Sequence, residues 1–394
     1  MAAKRILYVQ YTNPGGYPPL QHSSKLLADG GWQVSFLGTR ALGSNALEFP
    51  PHPAIRVQRL SYCSPGWYQK VHYLAFSLWV VVWAVGLRPK WIYASDPLSC
   101  PVALALSCFP GLRVLYHEHD SPFTEVGGQR PEVSRFQRFV VWTRGKLAHR
   151  AGLCVLPNVG RMQRFQRSTG TKGPVHCVWN CPSRDEALAV PLKGKPFILH
   201  YHGNIGPELV PLSLMEALAM VPGIQLRVIG YTTSGQEQYL DLLRKAASRA
   251  GVSDRVQIEP AMSRQDLLAK TREATVGFAA MPMDSANPNF QAMAGASNKP
   301  FDYLACGLAV LVSDLPDWRS MFVEAGCGLA CKPEDPESIA QALRWFVNNP
   351  VETRMMAERG RERILANWNY ENQFAPVLEL LSGAAESQAN TPPC

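Results

Sequence analysis

The fold class this sequence predicts is α/β: two Rossmann-like domains facing a cleft. Three observations predict it. Short apolar strands alternate with glycine-bearing loops and helices from residue 6 onward, which is the pattern of a parallel, doubly wound sheet. The pattern restarts at residue 197, after a polar stretch containing Pro and Gly. A chain of 394 residues is also too long for one ordinary core and suits two.

In the first half, residues 6–10 read as a strand and Asn13-Pro14-Gly15-Gly16 as a loop. Residues 21–29 read as a helix stopped by Gly30 and Gly31, and 32–37 as the next strand. Further strands are expected at 91–94, 112–117 and 153–156, with 175–182 closing the domain as strand and turn. In the second half the strands are 197–201, 225–229, 256–259, 276–279 and 309–312, and the helices are 212–220 and 236–250. The domain boundaries that follow are 1–183, a linker at 184–196, and 197–362.

Composition narrows the class. Hydrophobic residues make up 46% and charged residues 18%, so a large disordered region is excluded. Lys and Arg number 39 against 31 Asp and Glu, a net charge of +8 that favours anionic partners or is ordinary surface charge. The ten cysteines form no paired CxxC set, which argues against zinc and for a reducing compartment. Met1 to Arg5 lead straight into a strand without the apolar core of a signal peptide, so a cytoplasmic location is expected. No nucleic-acid motif occurs, and nucleic acid is not expected as a partner.

The most informative segment is 297–314, SNKPFDYLACGLAVLVSD, read as loop, helix, glycine stop and buried strand. Asn298 and Lys299 stand at the helix start, and Asp302 stands in its first turn. Unpaired N–H groups and partial positive charge at a helix N-terminus suit phosphate. A neighbouring carboxylate can accept from ribose hydroxyls. Together they ask for a nucleoside diphosphate and point to an activated sugar. The structural alternative for Asp302 is an ordinary first-turn charge.

This segment resembles the donor-binding motif of the GT-B glycosyltransferases, most closely the family 4 retaining enzymes. The resemblance extends through Tyr116-His117-Glu118-His119-Asp120, Tyr201-His202-Gly203-Asn204, 255–258 with 263–268, and Gly328-Leu329-Ala330 with 333–340. It implies a nucleotide-sugar donor, no cofactor, no metal, and Asp302 as the ribose ligand. It also implies donor contacts at Gly203, Asn204 and Gly230, and a last helix at 363–383 that returns to the first domain, followed by a tail at 384–394. Phe374, Val377, Leu378 and Leu381 have the helical spacing this requires. Two features depart from the family. Ala294 replaces its first glutamate, and Asn204 and Leu209 stand where relatives carry diphosphate-binding cations. Lys299 is therefore expected to supply the missing charge.

In the first domain Gly15 and Gly16 fall where relatives bring backbone close to the donor, or form a simple turn. His119 and Asp120 follow a strand at its carboxyl end and are the candidate catalytic residues. The resemblance implies a sugar contact by His119, against a packing role, and Glu118 is a further acid or base. Residues 73–87 are apolar but short for a span of about 20 residues. They read as a buried helix, with Trp79 and Trp83 as an alternative interfacial anchor. Arg135, Arg138, Arg144, Lys146 and Arg150, with Arg161, Arg164 and Arg167, form either a solvated face or an anionic membrane surface.

The expected activity is metal-independent, retaining transfer of a sugar, of hexosyltransferase type, to a hydroxyl acceptor, including a lipid-linked one, in bacterial polysaccharide synthesis. The alternatives are a nucleotide-sugar epimerase and a non-catalytic partner of the same fold. A protein held at the inner face of the plasma membrane fits the basic, apolar surface.

Overall fold

The structure, a computed structural model, describes residues 4–43, 46–122, 134–188, 196–233, 235–285, 287 and 289–383. The expected tail at 384–394 and positions 189–195 of the expected linker lie outside the described residues. The chain divides into two compact units. One comprises residues 1–180, 286–296 and 370–394, and the other comprises 181–285 and 297–369.

The first unit contains β1 (Lys4–Val9), α1 (Pro18–Asp29), β2 (Trp32–Thr39), β3 (Ile55–Leu60), α2 (Trp67–Leu87), β4 (Trp91–Ser95) and α3 (Cys100–Leu106). It continues with β5 (Arg113–His117), α4 (Arg135–Arg150), β6 (Leu153–Leu156), α5 (Val159–Thr169) and β7 (Val175–Cys177). Its seven strands are parallel, in the order β3-β2-β1-β4-β5-β6-β7. Strand side chains alternate in direction, so Leu7 and Val9 join the core under α2 to α5 while Ile6 and Tyr8 join the core under α1. Burial on both faces explains why the central strands read as continuous apolar runs. β3 carries Arg56 and Arg59 in a half-exposed alternation, so it lacked that signal. α2 begins at Trp67, six residues before the apolar run that marked it in sequence.

The second unit contains β8 (Phe197–Asn204), α6 (Ser213–Met220), β9 (Ile224–Tyr231), α7 (Tyr239–Arg249), β10 (Val256–Pro260), α8 (Arg264–Thr271) and β11 (Val276–Ala279). It goes on with α9 (Lys299–Ala305), β12 (Ala309–Ser313), α10 (Pro316–Trp318), β13 (Gly328–Cys331), α11 (Pro336–Asn348) and α12 (Pro350–Ala366). Its six parallel strands run β10-β9-β8-β11-β12-β13. The last helix, α13 (Tyr370–Ser382), groups with the first unit and buries Phe374, Val377 and Leu381 in the core that α1 covers. Residues 286–296 also group with the first unit, although sequence placed them in the second. Asn180 holds them there, donating its N–H to the Gly295 carbonyl at 2.8 Å and its Nδ2 to the Ala296 carbonyl at 2.6 Å.

In each sheet the strand order reverses beside the first strand, between β1 and β4 and between β8 and β11. Crevices open at the carboxyl ends of such strands. α9 reaches its position in the second sheet because Gly277 of β11 has no side chain. A Cβ there would stand 2.1 Å from the Tyr303 ring. The Tyr303 hydroxyl donates to the Phe278 carbonyl at 3.1 Å and accepts from the His202 N–H at 3.1 Å. Pro300 opens the helix and Gly307, at φ +76°, ends it.

Candidate functional site

The second unit presents a ledge at the carboxyl ends of β8 and β9. Gly203 and Gly230 are directly paired across these strands. A Cβ on Gly230 would lie 1.8 Å from the Gly203 carbonyl oxygen, so the strands come this close only with glycine there. Gly203 has φ +111°, and the Lys299 side chain lies over its α-carbon. A Cβ at 203 would meet Lys299 Cε at 3.0 Å and Nζ at 3.5 Å. The Lys299 ammonium also sits 5.6 Å from the centre of the Tyr201 ring. The Tyr201 hydroxyl donates to the Asn204 carbonyl. Asn204 Oδ1 and Ser297 Oγ are buried without a hydrogen-bond partner, the condition a polar ligand relieves. Ser297 was not singled out in sequence, where nothing distinguishes it from a loop serine.

Asp302 is sealed from solvent. Its carboxylate is fully buried and accepts from Arg264 Nη2 at 2.8 Å and Nη1 at 3.2 Å, and from Asn298 Nδ2 at 3.0 Å. His202 Nε2 lies 3.3 Å from the same carboxylate. Arg264 also donates to Glu186 through Nε at 2.5 Å and Nη2 at 2.8 Å. Burial pushes the Asp302 carboxyl up, but Arg264 and the His202 contact outweigh it, and the group rests below the usual carboxylate range. Burial lowers the His202 imidazole below its ordinary range, against the pull of Asp302. The carboxylate expected to meet the ribose is thus held by Arg264, Asn298 and His202. Glu186 was missed in sequence because it lies in the segment read as a linker.

In the first unit the carboxyl ends of β1 and β4 border a cavity of about 630 Å³ whose wall includes Gln10, Tyr11, Tyr17, Asp96 and Asp120. Asp96 has φ +64° and ψ 164°, a conformation that strains a residue with a side chain. Its Oδ1 accepts from the His119 N–H at 3.0 Å and its Oδ2 from Gln10 Nε2 at 3.4 Å. Burial, with a contribution from Asp120, raises its carboxyl above the usual range despite His119. Backbone dihedrals carry no signature in a single sequence, so Asp96 was invisible there.

Asp120 has a side chain 75% exposed and pairs with Arg161 Nη1 at 2.9 Å. His119 is buried, its ring 4.0 Å from that of His117 and 5.9 Å from that of Tyr17, and its Nε2 lacks a partner. His117 is sealed further in, with Nδ1 2.5 Å from the Tyr93 hydroxyl, and burial holds its imidazole well below the ordinary range. Glu118 is buried in a hydrogen-bonded ion pair. Arg144 Nε and Nη2 donate to it at 2.5 and 2.7 Å, and the Tyr116 hydroxyl at 2.7 Å.

Gly15 has a packing reason, since a Cβ there would stand 2.1 Å from the Leu47 carbonyl oxygen. Gly16 is open, with nothing within 4 Å of an added Cβ. Of the basic stripe, Arg144 and Arg161 are buried and not available to a surface partner. Arg161 instead holds the 286–296 segment through the carbonyls of Asn289 at 3.0 Å and Ala292 at 3.1 Å. Trp79 and Trp83 are partly buried and pack against the core. Among the described residues, no three of His, Cys, Asp and Glu are grouped to hold a metal ion.

Comparison with known proteins adds the following. Residues 183–363 match the family described as Glycosyl transferases group 1. A GDP-mannose-dependent alpha-(1-6)-phosphatidylinositol monomannoside mannosyltransferase of Mycolicibacterium smegmatis is 25% identical over 183 residues, a match spanning 46% of this chain and 46% of that protein. The fold is similar to that of sucrose-phosphate synthase from Thermosynechococcus elongatus, at a TM-score of 0.74 and 16% identity, covering 98% of this chain and 100% of that one. It is also similar to Anabaena HepE solved with UDP, at a TM-score of 0.68 and 16% identity, covering 98% and 100%.

Proposed function

We propose that this chain, which has the GT-B fold and whose residues 183–363 belong to the glycosyl transferases group 1 family, moves a sugar from a nucleoside-diphosphate donor to a hydroxyl acceptor. The observation that carries the reading is the Lys299 ammonium laid across Gly203 beside the side-chain-free pair with Gly230. A compact cation over open backbone at strand carboxyl ends suits a diphosphate. Ser297 and Asn298 precede Lys299 in sequence and Asn204 follows Gly203, and these three supply further polar atoms. The UDP in the Anabaena protein and the GDP-mannose of the mycobacterial relative support a nucleoside diphosphate as the common donor part.

In this reading the bond between the anomeric carbon and the diphosphate breaks, and the electron pair leaves with phosphate. Lys299 offsets that charge without a metal, cofactor or other reactant. The acceptor oxygen forms the new bond with retained configuration, and its proton passes to a donor phosphate oxygen. The first-unit cavity takes the acceptor. Asp96 and Asp120 meet its hydroxyls, His119 contacts the sugar, and Gly15 and Gly16 serve as the turn that shapes this end of the sheet. A hexose and a lipid-linked acceptor in bacterial polysaccharide or glycoconjugate synthesis fit this arrangement.

A second reading is a non-catalytic partner protein of the same fold. The closure of Asp302 by Arg264 favours it. A thermal-shift panel of UDP, GDP and ADP with their sugars tests both. A bound ligand at 100 times its Kd stabilises by about 2–3 kcal/mol. A shift together with donor consumption supports transfer, and no shift with any nucleotide overturns transfer and supports the partner reading.

A further inference from the structure

We propose that α2 docks this protein onto an anionic lipid bilayer, lying in the plane of one leaflet with its outer face inserted. α2 has 21 residues, about 30 Å of helix. It is long and apolar enough to cross a membrane by composition alone. Yet Tyr73, Phe76, Val80 and Ala84 on one side are buried in the first unit's core, and the Tyr73 hydroxyl donates to the Leu98 carbonyl at 2.7 Å. A helix so attached cannot turn all its faces to lipid without opening that core.

The opposite side is an apolar stripe at helical spacing. Val71, Leu74, Leu78, Val82 and Val85 are each 56–69% exposed. Trp67 and Tyr68, stacked at 3.6 Å and both exposed, stand at the head of the stripe, where amphipathic rings suit the headgroup layer. An apolar face this long and continuous marks an interaction surface.

Charge selects the partner. No Asp or Glu occurs in α2, α3, α4 or α5, the helices that cover this face of the sheet. Exposed cations of these helices include Lys70 on α2, Arg88 and Lys90 just after it, and Arg135, Arg138 and Lys146 on α4. α4 touches α2 through Phe136 and Tyr73, 5.3 Å between ring centres, and exposes Phe139 and Trp142. Exposed apolar residues and cations on helices without Asp or Glu match an anionic headgroup layer over acyl chains. This surface stands apart from the sugar-transfer reading and is tested without nucleotide.

The full chain is sedimented with phosphatidylcholine vesicles and with vesicles containing about one-third phosphatidylglycerol, at low and high salt. Binding to the anionic vesicles at least tenfold above the neutral ones, weakened by salt, is expected. The Leu74→Gln, Leu78→Gln, Val82→Gln variant, with its fold checked by circular dichroism, is expected to lose at least tenfold. The Arg135→Gln, Arg138→Gln, Lys146→Gln variant is expected to lose most of the preference for anionic vesicles, and it tests the proposal even where the first variant folds poorly. No binding to either vesicle, or equal binding by wild type and both variants, overturns the proposal. So does a lipid-free dimer in light scattering that the first variant dissociates, which would assign the stripe to a second copy of the chain.

Discussion

Arg264 and Asp302 form a buried two-point ion pair, with Nη2 2.8 Å from Oδ1 and Nη1 3.2 Å from Oδ2, and Glu186 holds the other edge of the same guanidinium. The carboxylate stands in the first turn of α9 and the arginine opens α8, so the pair ties the two helices together. A charge with this many partners acts first on stability.

Asp302→Asn is expected to destabilise the protein by about 3–5 kcal/mol, because the variant leaves a buried guanidinium short of a counter-charge. Urea denaturation without nucleotide measures this. The folded-state pKa of Asp302 is depressed. Its contribution is therefore complete above the ordinary carboxylate pKa and is lost as pH falls through the lower native value. Wild type should lose stability on acidification below about pH 4 more steeply than Asp302→Asn. Equal acid slopes, or an unchanged urea midpoint, would contradict the pairing.

This pair also shows where sequence stopped. The helix at 299–305, its lysine and its glycine stop were legible because Pro300 and Gly307 fix local conformation. The strands of both sheets other than β3 and β13 were legible, most of them as apolar runs, because helices cover both faces. Which way Asp302 points was not. That depends on Arg264, 38 positions earlier, and on Glu186, in a segment whose polarity reads as linker. Asp96 was hidden for a different reason, since its distinguishing feature is a backbone angle. β3 was hidden because a half-exposed strand with two arginines has no continuous apolar signal.

Lys299→Ala is expected to weaken nucleoside-diphosphate binding by about 10- to 100-fold, the loss of one charge-assisted contact of about 1.5–3 kcal/mol. Stability without ligand should change little, since the ammonium is not sealed in the core. Lys299→Arg should recover part of the loss at most, because the stem lies 3.0 Å from a Cβ position at Gly203 and a planar guanidinium needs more room. Titration calorimetry with UDP and GDP reads both. Unchanged affinity in Lys299→Ala would remove the ledge from the donor site.

Gly230→Ala and Gly277→Ala both place a methyl group where backbone or ring already stands, at 1.8 Å from the Gly203 oxygen and 2.1 Å from the Tyr303 ring. Each is expected to cost about 1–3 kcal/mol or more. Their effects should differ in kind. Gly230→Ala separates β8 from β9 at the ledge and should abolish nucleotide binding along with lowering stability. Gly277→Ala shifts α9, which the combined variant Gly277→Ala with Tyr303→Ala should partly relieve by emptying the ring's place. Thermal melts of the single and double variants decide this, and an additive double variant would refute direct contact as the cause.

Asp96 offers the sharpest separation of fold from function. Its φ of +64° is strained for any residue with a Cβ, so Asp96→Gly should raise stability by about 1 kcal/mol or more if strain dominates over the two hydrogen bonds it loses. The same change removes the carboxylate from the cavity wall and should raise the acceptor KM while leaving nucleotide affinity unchanged. Asp96→Asn keeps the shape and removes the charge. Burial raises the Asp96 pKa, so if the ionised form holds the acceptor hydroxyl, wild-type kcat/KM falls on the acid side at a pH above the ordinary carboxylate range. In Asp96→Asn that limb of the profile disappears and activity is low throughout. A residue that only shapes the loop would leave the pH profile in place, and a profile identical in wild type and Asp96→Asn would therefore confine Asp96 to structure.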